Sequence, residues 1–297
     1  MSDSNAVIET IIKIFSTPFV LDTIIIIFLL FSFIVGIRRK GWRSIWRFIF
    51  VVILLIGLGL FALKPMANWL ASDKFFNAIN FHPKFDYGGE EPIDLTSITH
   101  LIYVLGRIST NRELYTLAYS KELAFGLCRA ISWFGIVLFV HLISWVFSAL
   151  LWLLVRRVIP KRVRFKKPMP FLGGIIGLLQ GVILISSYMV ATGAITPGFA
   201  YIYESGKAGL FGLDDSIVGI VSILNPKNSS LFGAFSLEGH VFSFDVEDGE
   251  DTYFTSGEFV TFGEALISSE LDEGTIEEII EQFEEECYVD GNFVCTI

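Results

Sequence analysis

Residues 156–167 read Arg-Arg-Val-Ile-Pro-Lys-Arg-Val-Arg-Phe-Lys-Lys. Seven of the twelve are basic and none is acidic. Apolar runs long enough to cross a bilayer flank the stretch, at Ala130–Val155 and Pro170–Ile195. Short basic loops beside membrane spans stay on the cytoplasmic side. Arg156, Arg157, Lys161 and Arg162 therefore set the direction of both neighbouring helices, and through them of the whole chain.

A second basic stretch, Arg38–Arg47, lies between two earlier apolar runs. It includes Arg38, Arg39 and Lys40, with Trp42 and Trp46 suited to the headgroup level. The flanking runs are expected to span at residues 19–37 and 48–63, the second ending at Lys64-Pro65. The two basic stretches hold twelve of the 22 Lys and Arg residues and none of the 31 acidic ones. Such segregation is a topology signal, not the footprint of nucleic-acid binding. Mean hydropathy of +0.62 fits a membrane protein with a polar remainder.

The expected fold is mainly α: a polytopic membrane protein with four transmembrane helices and a small extracytoplasmic α+β C-terminal region. Residues 1–18 read as an amphipathic interfacial segment. Residues 19–195 read as the membrane domain, with an extracytoplasmic connection at 66–129. Within that connection an amphipathic helix is expected over Ile93–Leu105, a turn at Asp86-Tyr87-Gly88-Gly89, and a second short helix over Arg112–Cys128. Residues 196–297 form an acidic extracytoplasmic region. Ser236–Val246 and Thr252–Phe262 alternate as strands of a hairpin, and Thr275 through Glu278 fits a capping box opening a helix that ends near Cys287. No cleavable leader is expected, because Asp3 and Glu9 stand where a basic segment would be. With both basic stretches inside, the two termini lie outside a plasma or inner membrane.

Gly173, Gly177 and Gly181 recur every fourth residue in the fourth span. Such a face lets transmembrane helices approach closely. It serves intramolecular packing, a homodimer or a ligand crevice. Leu184 of the same span is expected to face lipid. His141 sits mid-span in the third helix, with Ser144 and Ser148 following at helical spacing. An intramembrane ionisable group is a functional candidate, and its alternative is a neutral histidine bonded to a facing helix. Asp22, near the outer end of the first span, is read as a helix N-cap, an ion-pair partner of Arg129 or a functional group. No nucleophile–base pair, metal-ligand spacing or phosphate-loop pattern is visible, so neither catalysis nor a metal or cofactor is expected.

Cys287 and Cys295 flank a segment symmetric about Gly291. A three-residue Asp-Gly-Asn loop would pair Val289 with Phe293, Tyr288 with Val294 and Cys287 with Cys295, as a disulfide requires. A two-residue turn would offset the cysteines by one position. Cys128 is expected to stay free.

The spans resemble the colicin V production protein (CvpA) family. The resemblance rests on Leu21-Asp22, the apolar run to Gly36, Arg38-Arg39-Lys40 and Gly41-Trp42, and on the Gly173/Gly174, Gly177, Gly181 string opening the last span. It covers Val20–Leu63 and Ser132–Ile195, 108 of the 297 residues. Two positions depart: Gln180 stands where the family often has arginine or lysine, and Ser44 where it carries an acid. The resemblance implies an integral inner-membrane protein required for production of a secreted toxin and associated with envelope homeostasis, with no known catalytic residues. The expected function is therefore a non-enzymatic accessory factor in toxin production or export. Its rival is an oligomeric transporter or channel using the glycine face and His141. The bilayer, a second copy and other membrane export proteins are the expected partners, and nucleic acid is not.

Overall fold

In a computed structural model, the chain is described at residues 10, 12–15, 17–80, 84–85, 93–107, 115–158, 169–204, 215–224, 229–231, 242–245, 251–254, 273–289 and 292–295. Helix α1 (Pro18–Phe61) opens where Thr17 is extended and Pro18 takes a first-turn position, at which its missing N–H costs nothing. The short helices α2 (Leu63–Ala71) and α3 (Asp73–Ile79) follow. Asn80, left-handed at φ 51°, ends α3. The two-residue strands β1 (Lys84–Phe85) and β2 (Ile93–Asp94) pair antiparallel, with Lys84 and Asp94 forming an exposed ion pair at 3.3 Å. Helix α4 (Ile98–Arg107) precedes the long helices α5 (Leu117–Val158) and α6 (Pro170–Glu204). Helix α7 (Asp215–Ser222), the hairpin β3 (Phe242–Asp245) and β4 (Asp251–Phe254), helix α8 (Glu273–Cys287) and the hairpin β5 (Tyr288–Val289) and β6 (Asn292–Phe293) complete the described chain.

Four helical stretches are long and apolar enough to cross a membrane: Phe19–Arg39, Arg43–Phe61, Leu117–Phe147 and Pro170–Gly193. The fold is that of a mainly-α polytopic membrane protein. Ile27, Leu30, Phe31, Ile53, Ile56, Leu142, Val146 and Phe171 are large, apolar and exposed, a surface that water would penalise. The fourth stretch is the most buried and forms the centre of the bundle.

The connection expected at Arg38–Arg47 is not a loop. Helical residues run from Pro18 to Phe61 without interruption. A straight helix of that length would reach about 66 Å and would hold Ile25 and Leu55 about 45 Å apart. Yet Ile25 packs on Ile185 and Met189 of α6, while Leu55 shares a cluster with Leu184. The Ser44 hydroxyl also donates to the Gly36 carbonyl at 3.2 Å, a contact that no straight helix allows eight residues along. The helix therefore folds back on itself, and two helical arms abut within residues 37–44. The first arm descends α6 as far as Gly41, which lies against Met169 and Leu172. The second returns along α5 and α6.

Other boundaries shift too. The second crossing ends at Phe61, and Pro65 sits in the first turn of α2, where its missing N–H is again harmless. The expected short helix before Cys128 is continuous with the third crossing, because α5 starts at Leu117. The helix of the fourth crossing continues past Ile195 to Glu204. Helix α4 starts at Ile98, with Ile93 in β2. Helix α8 opens at Glu273, two residues before Thr275, so Thr275 is not its cap. The expected hairpin is seen at Phe242–Asp245 and Asp251–Phe254, with Asp245 paired to Asp251, and the rest of 236–262 lies outside the described residues. The Asp86–Gly89 turn, Lys161 and Arg162 lie outside the described residues, as do residues 1–9. Ile12 of the N-terminal segment packs with Leu21 and Ile223.

At the end of the bundle away from Arg38–Arg47, one core joins the polar parts to the crossings. Leu95, Ile102 and Tyr103 meet Leu123, Ala130 and Val190, and α8 lays Ile279, Phe283 and Cys287 on them at helical spacing. The acidic C-terminal helix is thus not a separate unit but part of the core formed by the connection and the adjoining ends of α5 and α6. Cys128 is free and buried in a smaller cluster with Ala67, Ala71 and Phe125. Cys287 and Cys295 are bridged, with Cα atoms 5.0 Å apart. The register is not the symmetric one: Tyr288 pairs with Phe293 and Val289 with Asn292, leaving Asp290 and Gly291 between them. The offset is absorbed because Cys287 ends α8 and Cys295 follows the second strand, so neither cysteine needs a ladder partner.

His100 is at the heart of this core. Its Nδ1 accepts from the Thr96 backbone N–H at 3.3 Å, so the ring is neutral with its proton on Nε2. The ring stacks on Phe283, centroids 4.2 Å apart. Burial lowers its pKa from 6.5 to about 4. Between those values the unfolded chain takes up a proton that the folded chain refuses. Stability is full above pH 6.5 and falls as the pH drops toward 4, by at most about 3 kcal/mol. Thermal melts should show this fall, and His100→Leu should flatten it relative to wild type. Equal pH dependence in both proteins would remove His100 from the account.

Candidate functional site: a cationic cavity between the crossings

The site begins with bare backbone. A Cβ on Gly177 would stand 2.5 Å from the Ser32 carbonyl oxygen and 2.8 Å from the Gly36 Cα. One on Gly181 would stand 2.8 Å from the Ser32 side chain, and one on Gly36 would overlap the Gly173 carbonyl. Gly173, Gly177 and Gly181 therefore face the first arm of α1 within the same chain. Small residues on both helices let the backbones touch, and dispersion along that seam holds them. Leu184, on the same side of α6, is 3% exposed and does not face lipid.

Folding back brings the second arm beside this seam. Arg39 from the first arm and Arg47 from the second both lie over the Trp145 ring of α5, each guanidinium carbon 5.0 Å from the centroid. Arg47 is 5% exposed. Its Nη2 donates to Ser144 Oγ at 3.1 Å, and that hydroxyl donates to the His141 carbonyl at 2.8 Å. Arg47 Nε and His141 Nδ1 are buried and have no hydrogen-bond partner. Arg39, Arg47, His141 and Trp145 together line a cavity of about 170 Å³. Its remaining polar wall is Ser32, Ser44 and Gln180, and among the described residues no acidic one lines it. The two positions that depart from the resembled family, Ser44 and Gln180, both fall on this wall.

The expected site residues are thus partly assembled. His141 and the glycine seam meet in one cavity. Asp22 does not belong to it. It lies in the first turn and a half of α1, whose N-cap is Thr17, so it does not cap its own helix. Its carboxylate instead accepts from Ser229 Oγ, from Ser230 Oγ at 3.0 Å and from the Leu231 N–H at 3.1 Å, tying the C-terminal region to the crossings. Arg39, expected to serve topology through its charge, also lines the cavity, and Lys40 and Arg38 flank it in the helix. Arg156 and Arg157 end α5. Arg47 was the missed residue. The signal was its place between Ile45-Trp46 and Phe48-Ile49, already inside an apolar run. Trp145, four residues after His141 and so on its face, was the other. Among the described residues no cluster of His, Cys, Asp or Glu could hold a metal ion.

The fold and the cavity define a polytopic α-helical membrane protein with a cationic pocket between its crossings. No protein-family model matches the chain, and neither a curated protein nor a solved structure does so significantly.

Gly177→Leu should force the first arm away from α6, at a cost of about 1–3 kcal/mol or more by overpacking. Lower yield and a broadened size-exclusion profile are expected. Leu179→Ile, at a half-exposed position, should change neither. A Gly177→Leu protein as abundant and monodisperse as wild type would refute the seam.

Proposed function

We propose that the chain is an inner-membrane protein of the colicin V production type. It acts without catalysis, as an accessory factor in toxin production or export and in envelope homeostasis. The N-terminus, the 66–129 connection and the acidic C-terminal region face outward, and the partners are bilayer lipids and other membrane export proteins. The observation that carries this reading is the continuous core at the outer end. Phe283 and Cys287 of the acidic helix pack with Tyr103, Ala130 and Val190, so the polar head is built onto the crossings as one body suited to hold a partner. The Cys287–Cys295 bridge supports an oxidising side for that head, opposite the basic turn.

A transporter or channel is the second reading, favoured by the His141-lined cavity. The glycine seam no longer supports an oligomer around it, because the chain's own first arm fills it.

One experiment addresses both readings. Cells lacking the chain should release less of a co-expressed colicin V-type peptide while making the same amount. Wild type and His141→Gln should restore release equally. Unchanged release on deletion would overturn the accessory reading. Failure of an abundant His141→Gln protein to restore release would favour transport.

Orientation has its own test. Ser44 is buried and would resist a thiol reagent from either side. Arg157, exposed at the end of α5, and Lys74, exposed in α3, are the informative positions. In intact cells an impermeant reagent should label Lys74→Cys and spare Arg157→Cys. Labelling of Arg157→Cys without lysis would reverse the assignment.

A further inference from the structure

We propose that the cavity between the folded arms of α1 and helices α5 and α6 binds a phosphate-class oxyanion, held by Arg39 and Arg47. The ligand is either the headgroup of an anionic phospholipid or a free phosphate ion. The site goes beyond the accessory role and does not depend on it.

Charge balance is the first argument. Each guanidinium carbon is 5.0 Å from the Trp145 centroid, so the two cations are at most 10.0 Å apart. That is no more than about one Debye length, and apolar walls screen charge far less than salt water does. The ring attracts both cations but neutralises neither. Among the described residues no carboxylate lines the cavity to pair with them. A buried charge is retained at low cost only when it is paired.

Hydrogen-bond accounting is the second argument. Arg47 is nearly fully buried and uses one Nη2 contact to Ser144, while its Nε has no partner. His141 Nδ1 is likewise buried and unpartnered beside the same cavity. The Gln180 amide and the Ser32 hydroxyl complete a wall able to donate from several directions. A tetrahedral oxyanion accepts from many directions at once, and guanidinium forks match its geometry.

Depth is the third argument. Arg39 stands at the turn and Arg47 one helical turn past it on the second arm, whereas Phe28, Phe31 and Leu184 line the same cavity further into the bundle. Phe31 is half-exposed, which opens this end toward the bundle surface. A polar group at the turn with an apolar tail beyond it follows that gradient. Basic pockets between transmembrane helices on the cytoplasmic side bind anionic lipid headgroups, and this argument alone rests on the orientation proposed above.

The test uses the full-length purified chain, with inorganic phosphate and phosphatidylglycerol as probes. In one arm inorganic phosphate is titrated into detergent-solubilised protein, and binding is read by thermal shift and calorimetry. In the other, phosphatidylcholine nanodiscs with or without phosphatidylglycerol are compared, and retained lipid is counted by native mass spectrometry. Binding in the first arm assigns a free ion, and binding in the second alone assigns a lipid headgroup. Binding in neither overturns the proposal. Arg47→Gln and the more exposed Arg39→Gln should each weaken binding about tenfold or more, the loss expected for a charge-assisted contact. Arg157→Gln removes the same charge at the end of α5 and should change affinity less than about twofold, as a surface charge does. If Arg47→Gln does not fold, Arg39→Gln decides. Equal affinity in Arg39→Gln and Arg157→Gln would place the ligand elsewhere and refute the site.

Discussion

The contact on which the structure depends is backbone against backbone: Gly36 on the first arm of α1 against Gly173 and Gly177 of α6. Between lipid tails, burial of apolar side chains brings two helices no closer, since the tails are equally apolar. What remains is close packing, and it requires that no Cβ intervene. Gly174 extends the seam, because a Cβ there would stand 2.7 Å from the Phe33 ring and 2.9 Å from Ile37. Once the first arm is seated, the reversal near Gly41 must return the second arm beside α6 as well. Val51 and Leu55 accordingly reach Leu184 and the Ile136–Val140 face of α5. The cavity is what this packing leaves open: three helices meet at glycines and serines, and the gap is walled by longer side chains from the turn.

The existence and number of crossings were legible because hydropathy integrates over many residues and tolerates local error. The turn was not. A run such as Arg38–Arg47 lowers hydropathy whether it is a loop or a helix end. Lys, Arg and Trp are all tolerated in helices, and only Gly41 hints at a break. Nor was the start of α5 legible. Leu117–Arg129 contains Lys121, Glu122 and Arg129, so it reads as soluble, yet it continues the third crossing as one helix into the core shared with the C-terminal helix. At the C-terminus the disulfide could be inferred from symmetry, but the turn length could not. Asp-Gly favours a two-residue turn, and the cysteines then bridge from outside the ladder.

Asp22 and His141 show the same limit at the level of single residues. Both are ionisable groups in apolar surroundings, and sequence ranks them alike. Their partners separate them. Asp22 receives three hydrogen bonds from residues 229–231, more than 200 positions away, and this makes it a tether for the C-terminal region. His141 donates nothing from Nδ1 to the protein and borders open space with Arg39 and Arg47. A linear reading sees neither the tether nor the cavity, since each depends on segments that only folding brings together.

Arg39 and Arg47 also show why a topology signal can conceal a site. The positive-inside bias acts while the chain is being inserted, before helices pack, and it depends only on charge and position. Binding depends on where the guanidiniums sit after the arms close. The same arginine can satisfy both demands, because retention on one side needs no particular partner. Arg157, exposed at the end of α5, offers only its charge, whereas Arg47 is buried with an Nε that has no partner, as the proposed site requires. Within a basic segment beside a membrane span, burial combined with an unfilled donor is therefore the property that distinguishes a ligand-holding cation from one that serves orientation alone.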